Sequence, residues 1–303
     1  MRRSLADRTL RCPAVAPPTI PEQVRRHCAE VAAAARWVRI DPDAETVRAG
    51  VQGLDPELHL LDADPERIAR YILVLDTINF GSGWFPTLRR GSTNAMTERL
   101  TAAARRADGP WSAPELREME PATVADVLGE DAGHTLMALY ARALRELGRF
   151  LGDRAALDVV AAARGSAARL AGDLAGAMPT FADPGLYKRA QITANDLALA
   201  GVADFADVDE LTVFADNLLP HVLRHDGVLV LHEELAARID RGDLLEPGGE
   251  MEHELRACAV HACELLAGRM GVAPRVLGNW LWNRGLEPPY SERPAHLCRT
   301  VFY

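Results

Sequence analysis

The segment GLYKRAQITANDLALAG combines ligand-binding side chains with an apolar helical pattern. At 100° per residue, Lys188, Asn195 and Asp196 share one helix face. Ile192 and Leu199 lie on the same face, so the polar groups form either a satisfied buried network or the wall of a polar pocket. Lys188 is also the single lysine among 34 basic residues. An ammonium is compact and can lose its proton when desolvated, so this lysine is either a functional residue or a chance survivor.

A second carboxylate, Asp216, lies in the segment DVDELTVFADNLLPHVLRHDG. Leucines and Phe214 form a broad apolar stripe at helical spacing, and Asp216 lies at the margin of that stripe. Pro220 cannot donate a backbone hydrogen bond, which predicts a break or kink in this helix. A carboxylate against apolar walls beside a distorted helix is typical of a catalytic site. The alternative is that Asp216 faces water.

A third segment, YILVLDTINFGSGWFPTL, ends an apolar helix in polar, aromatic and glycine residues. Asn79 and Phe80 precede the flexible stretch Gly81-Ser82-Gly83, and Trp84 follows it. Rings beside glycines could form a lid or a stacking platform for a heterocyclic base, at about 1–3 kcal/mol per stack. The same rings could instead belong to the core.

Helices must position these residues, because strand patterns are nearly absent and only Val228–Leu231 reads as extended. We predict an all-α, mainly helical fold: a Pro-rich arm over residues 1–20, then one globular domain over 21–303. The run Glu250, Glu252 and Glu254 with Arg256 reads as a solvated helix start. Apolar residues spaced three and four apart predict helices from residue 21 and at Asp64–Phe80, Ser92–Arg106, His134–Leu151, Asp153–Ala171, Tyr187–Ala200, Val208–Arg224, Glu233–Arg241, Glu250–Met270 and Pro274–Arg284.

Composition excludes several classes of protein. The 303 residues include 34 Lys and Arg against 43 Asp and Glu, a net charge of −9, which argues against non-specific nucleic-acid binding. Five scattered cysteines are unlike a disulfide framework and predict a reducing, cytoplasmic compartment. No stretch approaches the roughly 20 apolar residues of a membrane span, and no secretory signal is visible.

Motifs for the common cofactors are missing as well. The sequence has no GxxxxGK[ST], GxGxxG or GxSxG. Cys258, His261 and Cys263 crowd one predicted helix, but no second ligand pair stands nearby, which argues against zinc. We therefore expect neither a metal nor a cofactor.

Five short motifs occur along the chain: LDTINF at 75–80, YKRAQ at 187–191 followed by Asp196, LTVFADNLLPHVLR at 211–224, EHELRA at 252–257 and RTVFY at the end. Together they resemble the queuosine salvage family, the queuosine 5′-phosphate N-glycosylase/hydrolases, from about residue 20 onward. The resemblance implies hydrolysis of the N-glycosidic bond of queuosine 5′-monophosphate. The products would be ribose 5-phosphate and queuine, which is then salvaged into tRNA modification. It also implies an all-helical fold similar to helix-rich DNA glycosylases.

The resemblance implies roles for the polar residues. Cleaving a C1′–N bond builds oxocarbenium character on the ribose, which a carboxylate stabilises. Asp216 is expected to stabilise that charge or orient the water. Asp196 is expected to be the second carboxylate, which binds the ribose hydroxyls, binds the donors of the deazaguanine edge, or orients the water. The remaining expected contacts are to the substrate: Lys188 and Arg189 on the 5′-phosphate, Phe80 and Trp84 around the base, Asn79 on the base edge, and Tyr187, Gln191 and Arg224 elsewhere.

Two other functions are also compatible with the sequence. A DNA-repair glycosylase of related helical fold would need a basic face and a hairpin that grips the DNA backbone. A non-enzymatic helical scaffold would leave Lys188 and Asp216 on the surface. The preferred interpretation is an enzyme that acts on a small-molecule nucleotide, with no nucleic-acid or membrane partner. The sequence does not determine its oligomeric state.

Overall fold

The computed structural model of the chain describes residues 17–44, 53–106 and 111–303. Helices dominate this part of the chain and the strands have two or three residues each, so the prediction of a mainly helical fold is confirmed. The helices are α1 Ile20–Ala34, α2 Pro65–Thr77, α3 Thr93–Arg106, α4 Ala113–Arg117, α5 Pro121–Leu128, α6 Thr135–Leu151, α7 Ala156–Ala162, α8 Ala167–Ala177, α9 Lys188–Leu199, α10 Leu218–His225, α11 Glu233–Asp240, α12 Glu250–Met270 and α13 Pro274–Gly285.

The strands form two small pairs: β1 Val38–Ile40 is antiparallel to β2 Leu229–Leu231, and β3 Leu244–Leu245 is parallel to β4 Leu297–Cys298. The extended stretch predicted at Val228–Leu231 corresponds to β2. Of the predicted arm over residues 1–20, residues 1–16 lie outside the described residues. None of the described helices is long and apolar enough to cross a membrane.

Three helices form the centre of the molecule and are buried around most of their circumference. In α2, every residue from Tyr71 to Thr77 is buried, and α9 and α12 are buried along most of their length. Helix α9 packs against α2 on one side and α8 on another, while α12 packs against α1 and α10. A helix buried all round is normally apolar, so the polar residues of α2 and α9 require specific partners.

Helix α9 begins abruptly because Tyr187 adopts a left-handed conformation, with φ of 48°. Its interior polar groups are then bonded to neighbouring segments. The Gln191 side chain donates to the Thr212 hydroxyl at 2.9 Å and accepts from the Thr212 backbone N–H at 3.1 Å. These bonds fix the Leu211–Asp216 segment alongside α9, and this segment carries Asp216 to the site.

Two helices differ from the sequence-based prediction. The predicted helix Asp153–Ala171 is divided into α7 and α8, because Arg164 and Gly165 both have positive φ and the Ser166 hydroxyl then caps α8. The predicted helix Val208–Arg224 is wrong over its first half. A single 3₁₀ turn at Val208–Glu210 and a non-helical segment precede α10, which begins only at Leu218. Pro220 lies in the first turn of α10, where a missing N–H is tolerated.

The predicted solvated start of α12 holds for the exposed Glu250 and is wrong for the other three residues of that run. Glu252, Glu254 and Arg256 are buried, with exposed fractions of 2–6%. Arg256 pairs with Asp183 at 2.6 Å and with Glu252 at 3.2 Å, so the EHELRA motif is an internal ion network. Helices α4 and α5 are absent from the predicted set, although the capping pair Ser112 and Glu115 marks the start of α4.

Candidate active site

A cavity of about 590 Å³ lies between α2, α3, α9, α10 and α13. This volume falls within the range of about 300–1,000 Å³ that is usual for small-molecule sites. Its polar lining includes Asp76, Asn79, Lys188, Asp196 and Asp216. Its apolar lining includes Leu75, Ile192, Leu199, Phe214, Leu219, Trp282 and Leu286. Of the two alternatives for the polar face of α9, the structure therefore supports the wall of a polar pocket.

Lys188 is the centre of charge in this cavity. It is only 3% exposed, and its Nζ donates to the Asn79 carbonyl at 3.3 Å. Burial lowers the pKa of Lys188, and the carboxylates of Asp216, Asp76 and Asp196 oppose that effect. Three acids therefore surround one ammonium inside a single cavity.

Asp216 is held at the N-terminal end of α10. Its Oδ1 accepts from the backbone N–H of Leu218 at 2.7 Å and of Leu219 at 3.3 Å. Because both bonds use Oδ1, the second carboxylate oxygen is left to interact with a ligand or water. Asp216 is half-buried and lies just before the helix rather than within it. The sequence predicted a break or kink in a helix near this carboxylate. The structure shows a change there from non-helical chain to the start of α10.

Asp196 lies on the buried face of α9 and is 9% exposed. Burial raises its pKa to about 6, while a hydrogen bond from Asn195 at 2.9 Å and the charge of Lys188 act in the opposite direction. A carboxyl group with a pKa near neutrality can exchange a proton during a reaction.

Asp76 is the cavity carboxyl group that the sequence reasoning missed. It is fully buried in the last turn of α2, and neither of its oxygens has a hydrogen-bond partner of good geometry among the described residues. Burial and the neighbouring charge of Asp196 raise its pKa well above the usual value. The sequence did contain a signal for Asp76, since it lies inside the apolar run YILVLDTI. A carboxyl group at such a buried position requires a specific partner.

The charges argue against one expected role of Lys188. With all three aspartates ionised, their charges and that of Lys188 sum to −2. With Asp76 and Asp196 protonated, the sum is zero. Among these four groups a phosphate dianion would meet no net positive charge, and the buried Arg189 is the other cation within electrostatic reach of Lys188. The cavity carboxylates thus compete with a 5′-phosphate for the charge of Lys188.

Three of the residues expected to bind substrate lie outside the cavity lining. Arg189 is fully buried, and its guanidinium donates to the carbonyls of Thr77, Thr180 and Val301. Gln191 is bonded to Thr212, and Tyr187 forms the turn before α9. None of these three side chains lines the cavity.

The aromatic residues differ from expectation in the same way. Phe80 packs edge-to-face on Tyr140 and beneath the Arg189 guanidinium, and Trp84 is a core residue. Gly81 precedes the 3₁₀ turn Ser82–Thr87, which includes Ser82 and Gly83, and none of these three residues lines the cavity. A Cβ added to Gly83 would stand 2.1 Å from the Cys298 carbonyl oxygen, so this glycine allows a close backbone approach.

The last expected contact, Arg224, pairs with Asp240 outside the cavity lining. The aromatic rings that do line the cavity are Phe214 and Trp282. Helix α13 also brings two amides to the lining, from Asn279 and Asn283. The aromatic and amide spacing of NWLWN was a signal for this face of α13.

Across residues 17–44, 53–106 and 111–303, no group of three or more His, Cys, Asp or Glu side chains is arranged to hold a metal ion. The positive charge among the three aspartates is supplied by Lys188. The arrangement can stabilise a developing cation and transfer protons, and it presents two rings and several amides to a flat polar ligand.

Comparison with known proteins relates this cavity to one family. The family model described as queuosine salvage protein matches residues 58–303, which include every cavity residue named above. A protein of Sphaerobacter thermophilus is 35% identical over 274 residues, covering 82% of this chain and 84% of the relative. A protein of Dictyostelium discoideum is 29% identical over 272 residues, covering 78% of this chain and 79% of the relative. Both relatives are named queuosine 5′-phosphate N-glycosylase/hydrolase. The chain belongs to the queuosine salvage protein family.

Proposed function

We propose that this protein hydrolyses the N-glycosidic bond of queuosine 5′-phosphate and releases queuine and ribose 5-phosphate. The observation that carries the proposal is the convergence of Asp76, Asp196 and Asp216 on Lys188 in one cavity of about 590 Å³. The names of the two relatives that cover most of this chain support the same reaction.

Asp216 is the residue to which we assign the stabilisation of the transition state. Breaking the C1′–N9 bond develops positive charge on the ribose ring, and a fixed carboxylate beside that ring lowers the barrier. Two backbone N–H groups orient the Asp216 side chain through one oxygen. The other oxygen can then face the anomeric carbon without further rearrangement.

We assign to Asp196 the orientation of the attacking water and the removal of its proton. A pKa of about 6 leaves this carboxyl group mostly ionised at neutral pH, and it remains basic enough to accept a proton in the transition state. Lys188 would offset the negative charge of the two carboxylates, since Asp216 and Asp196 both raise its pKa.

The planar base would lie against the apolar wall of the cavity. Phe214 and Trp282 offer faces for stacking, and Asn79, Asn279 and Asn283 offer donors and acceptors for the base edge and the ribose hydroxyls. Four buried free cysteines among the described residues support a reducing compartment such as the cytoplasm. There the released queuine would be available for tRNA modification.

The direct test is to incubate the purified protein with queuosine 5′-phosphate without added metal. Free queuine and ribose 5-phosphate are then quantified by chromatography with mass detection. We expect both products in equal amounts, and no free base from guanosine or adenosine 5′-phosphate. Absence of queuine release under these conditions would overturn the proposed function. Parallel reactions with queuosine measure the contribution of the phosphate.

A further inference from the structure

No hydrogen bond of good geometry explains why Asp76 is retained inside the fold. Its exposed fraction is zero, yet it lines the cavity, and among the described residues its carboxyl oxygens have only the side chains of Thr193 and Asn79 nearby, without well-formed hydrogen bonds. Buried polar groups are almost always hydrogen-bonded, and leaving one unpaired costs stability. The missing partner is therefore expected to arrive with a ligand.

The surroundings of Asp76 favour its neutral form. Burial and the Asp196 carboxylate raise its pKa, while Lys188 and the side chains of Thr193 and Asn79 act in the opposite direction. Arg189 on α9 and Tyr71 on α2 are the other titratable groups that feel its charge. A neutral carboxyl group presents one O–H donor and one C=O acceptor side by side.

That pair of groups matches one edge of a 6-oxo deazapurine. The edge offers O6 as an acceptor and N1–H as a donor, so a neutral carboxyl group can form two parallel hydrogen bonds with it. A 7-deaza base has carbon at position 7, so the leaving base cannot be protonated at N7 as an ordinary purine can. O6 is the oxygen on which negative charge collects as the base departs.

We propose that Asp76 is a further catalytic residue, which pairs with the O6 and N1–H edge of the base and transfers its proton to O6 as the glycosidic bond breaks. This inference rests on the proposed function. The C1′–N9 bond breaks with its electron pair moving onto the base, and the base leaves as a neutral 6-hydroxy tautomer. Water adds to C1′ and gives a proton to Asp196. Exchange with solvent returns Asp76 to its acid form and Asp196 to its carboxylate form.

Asp76→Asn separates pairing from proton transfer. The amide N–H can donate to O6 and the amide oxygen can accept from N1–H, but the amide has no proton to transfer. We expect kcat for queuosine 5′-phosphate to fall by about 100-fold or more, the size of a general-acid contribution, while KM stays within about threefold. Asp76→Ala removes both hydrogen bonds and should also raise KM.

An activated substrate distinguishes a proton donor from a merely structural residue. The leaving group of 4-nitrophenyl β-D-ribofuranoside 5-phosphate departs without protonation. Asp76→Asn should therefore hydrolyse it within about threefold of the wild-type rate, whereas Asp216→Asn should be impaired on both substrates. Asp243→Asn, an exposed change, is the control for both. If Asp76→Asn lost activity equally on both substrates, or if its KM rose with kcat unchanged, the inference would be overturned.

Folding of the variant is monitored by thermal unfolding. Because Asp76 makes no well-formed hydrogen bond in the described part of the chain and its neutral form is favoured, Asp76→Asn should melt no lower than the wild type. Should it fail to fold, Asp76→Ser, tested on the same pair of substrates, must show the same selective loss. If the activated substrate is not hydrolysed by the wild type, the split between kcat and KM remains the deciding result. If the wild type releases queuine and Asp76→Asn is equally active, the inference about Asp76 is refuted and the proposed function stands. If the wild type is inactive, both are refuted.

Discussion

Replacing Arg189 by lysine tests whether this residue is structural or binds substrate. Its guanidinium joins three segments by donating to the carbonyls of Thr77, Thr180 and Val301, the last at 2.6 Å. It also lies 4.6 and 4.7 Å from the ring centres of Phe80 and Phe181. Burial lowers its pKa to about 9, so the charge is retained at neutral pH.

The expected loss of stability follows from those contacts. Hydrogen bonds from a charged donor contribute about 1.5–3 kcal/mol each. A lysine ammonium cannot span three carbonyls in the plane of the guanidinium. Allowing for non-additivity, we expect Arg189→Lys to lower the free energy of unfolding by about 4 kcal/mol. For a chain of this length, that corresponds to a fall in Tm of about 6 °C.

The assay combines differential scanning calorimetry with steady-state kinetics on queuosine 5′-phosphate and queuosine. We expect a lower Tm and no change in the ratio of the two KM values, because Arg189 does not line the cavity. Arg238→Lys is the matched control, since this residue is exposed and pairs only with Glu234 one turn away, and it should shift Tm by less than about 1 °C. An unchanged Tm with a KM raised only for the monophosphate would show that Arg189 binds the phosphate and would refute the structural assignment.

Three further variants test the cavity. Lys188→Met should lower kcat/KM on queuosine 5′-phosphate and on queuosine by the same factor, because the ammonium serves the carboxylates; a loss confined to the monophosphate would contradict this. The pKa of Asp196 is raised from 3.8 to about 6 in the folded state, so its ionisation costs stability as pH rises through this window. Asp196→Asn should therefore be more stable than wild type by up to about 3 kcal/mol at pH 8, with the difference gone below about pH 4. Thermal unfolding from pH 4 to 8 measures this, and a difference independent of pH would refute it. Trp282→Leu should raise KM by about 5- to 150-fold through loss of about 1–3 kcal/mol of stacking, whereas equal effects from Trp280→Leu, on the same helix but outside the cavity lining, would argue against stacking.

The helical period was sufficient to predict most of the long helices and the polar face of α9. It could not predict that Leu211–Asp216 is non-helical, because its apolar residues have the same spacing as a helix stripe. Tertiary hydrogen bonds fix that segment in place: Gln191 pairs with Thr212, and Arg256 donates to the Ala215 carbonyl at 3.0 Å. Pro220 marked the disturbance, and the structure shows that it marks the start of a helix.

The candidate site was predicted in part for a similar reason. Lys188 and Asp196 could be placed together because they share one helix. Asp76 could not be joined to them, because the packing of α2 on α9 brings these residues together across more than 100 positions of sequence. Arg189 shows that a suitable residue type in a suitable motif does not by itself place a side chain in the site. Its type and motif suit phosphate binding, but it is buried among backbone carbonyls and lies outside the cavity lining.

The most direct test of the central claim is the rate of queuine release from queuosine 5′-phosphate by Asp216→Asn relative to wild type, with Asp243→Asn as the control. The amide can still accept the backbone hydrogen bonds that hold Asp216, so folding should be preserved. We predict that release nearly ceases in Asp216→Asn while Asp243→Asn keeps the wild-type rate. A rate in Asp216→Asn within about tenfold of wild type, equivalent to about 1.4 kcal/mol in the barrier, would contradict the assignment of Asp216 to the chemical step.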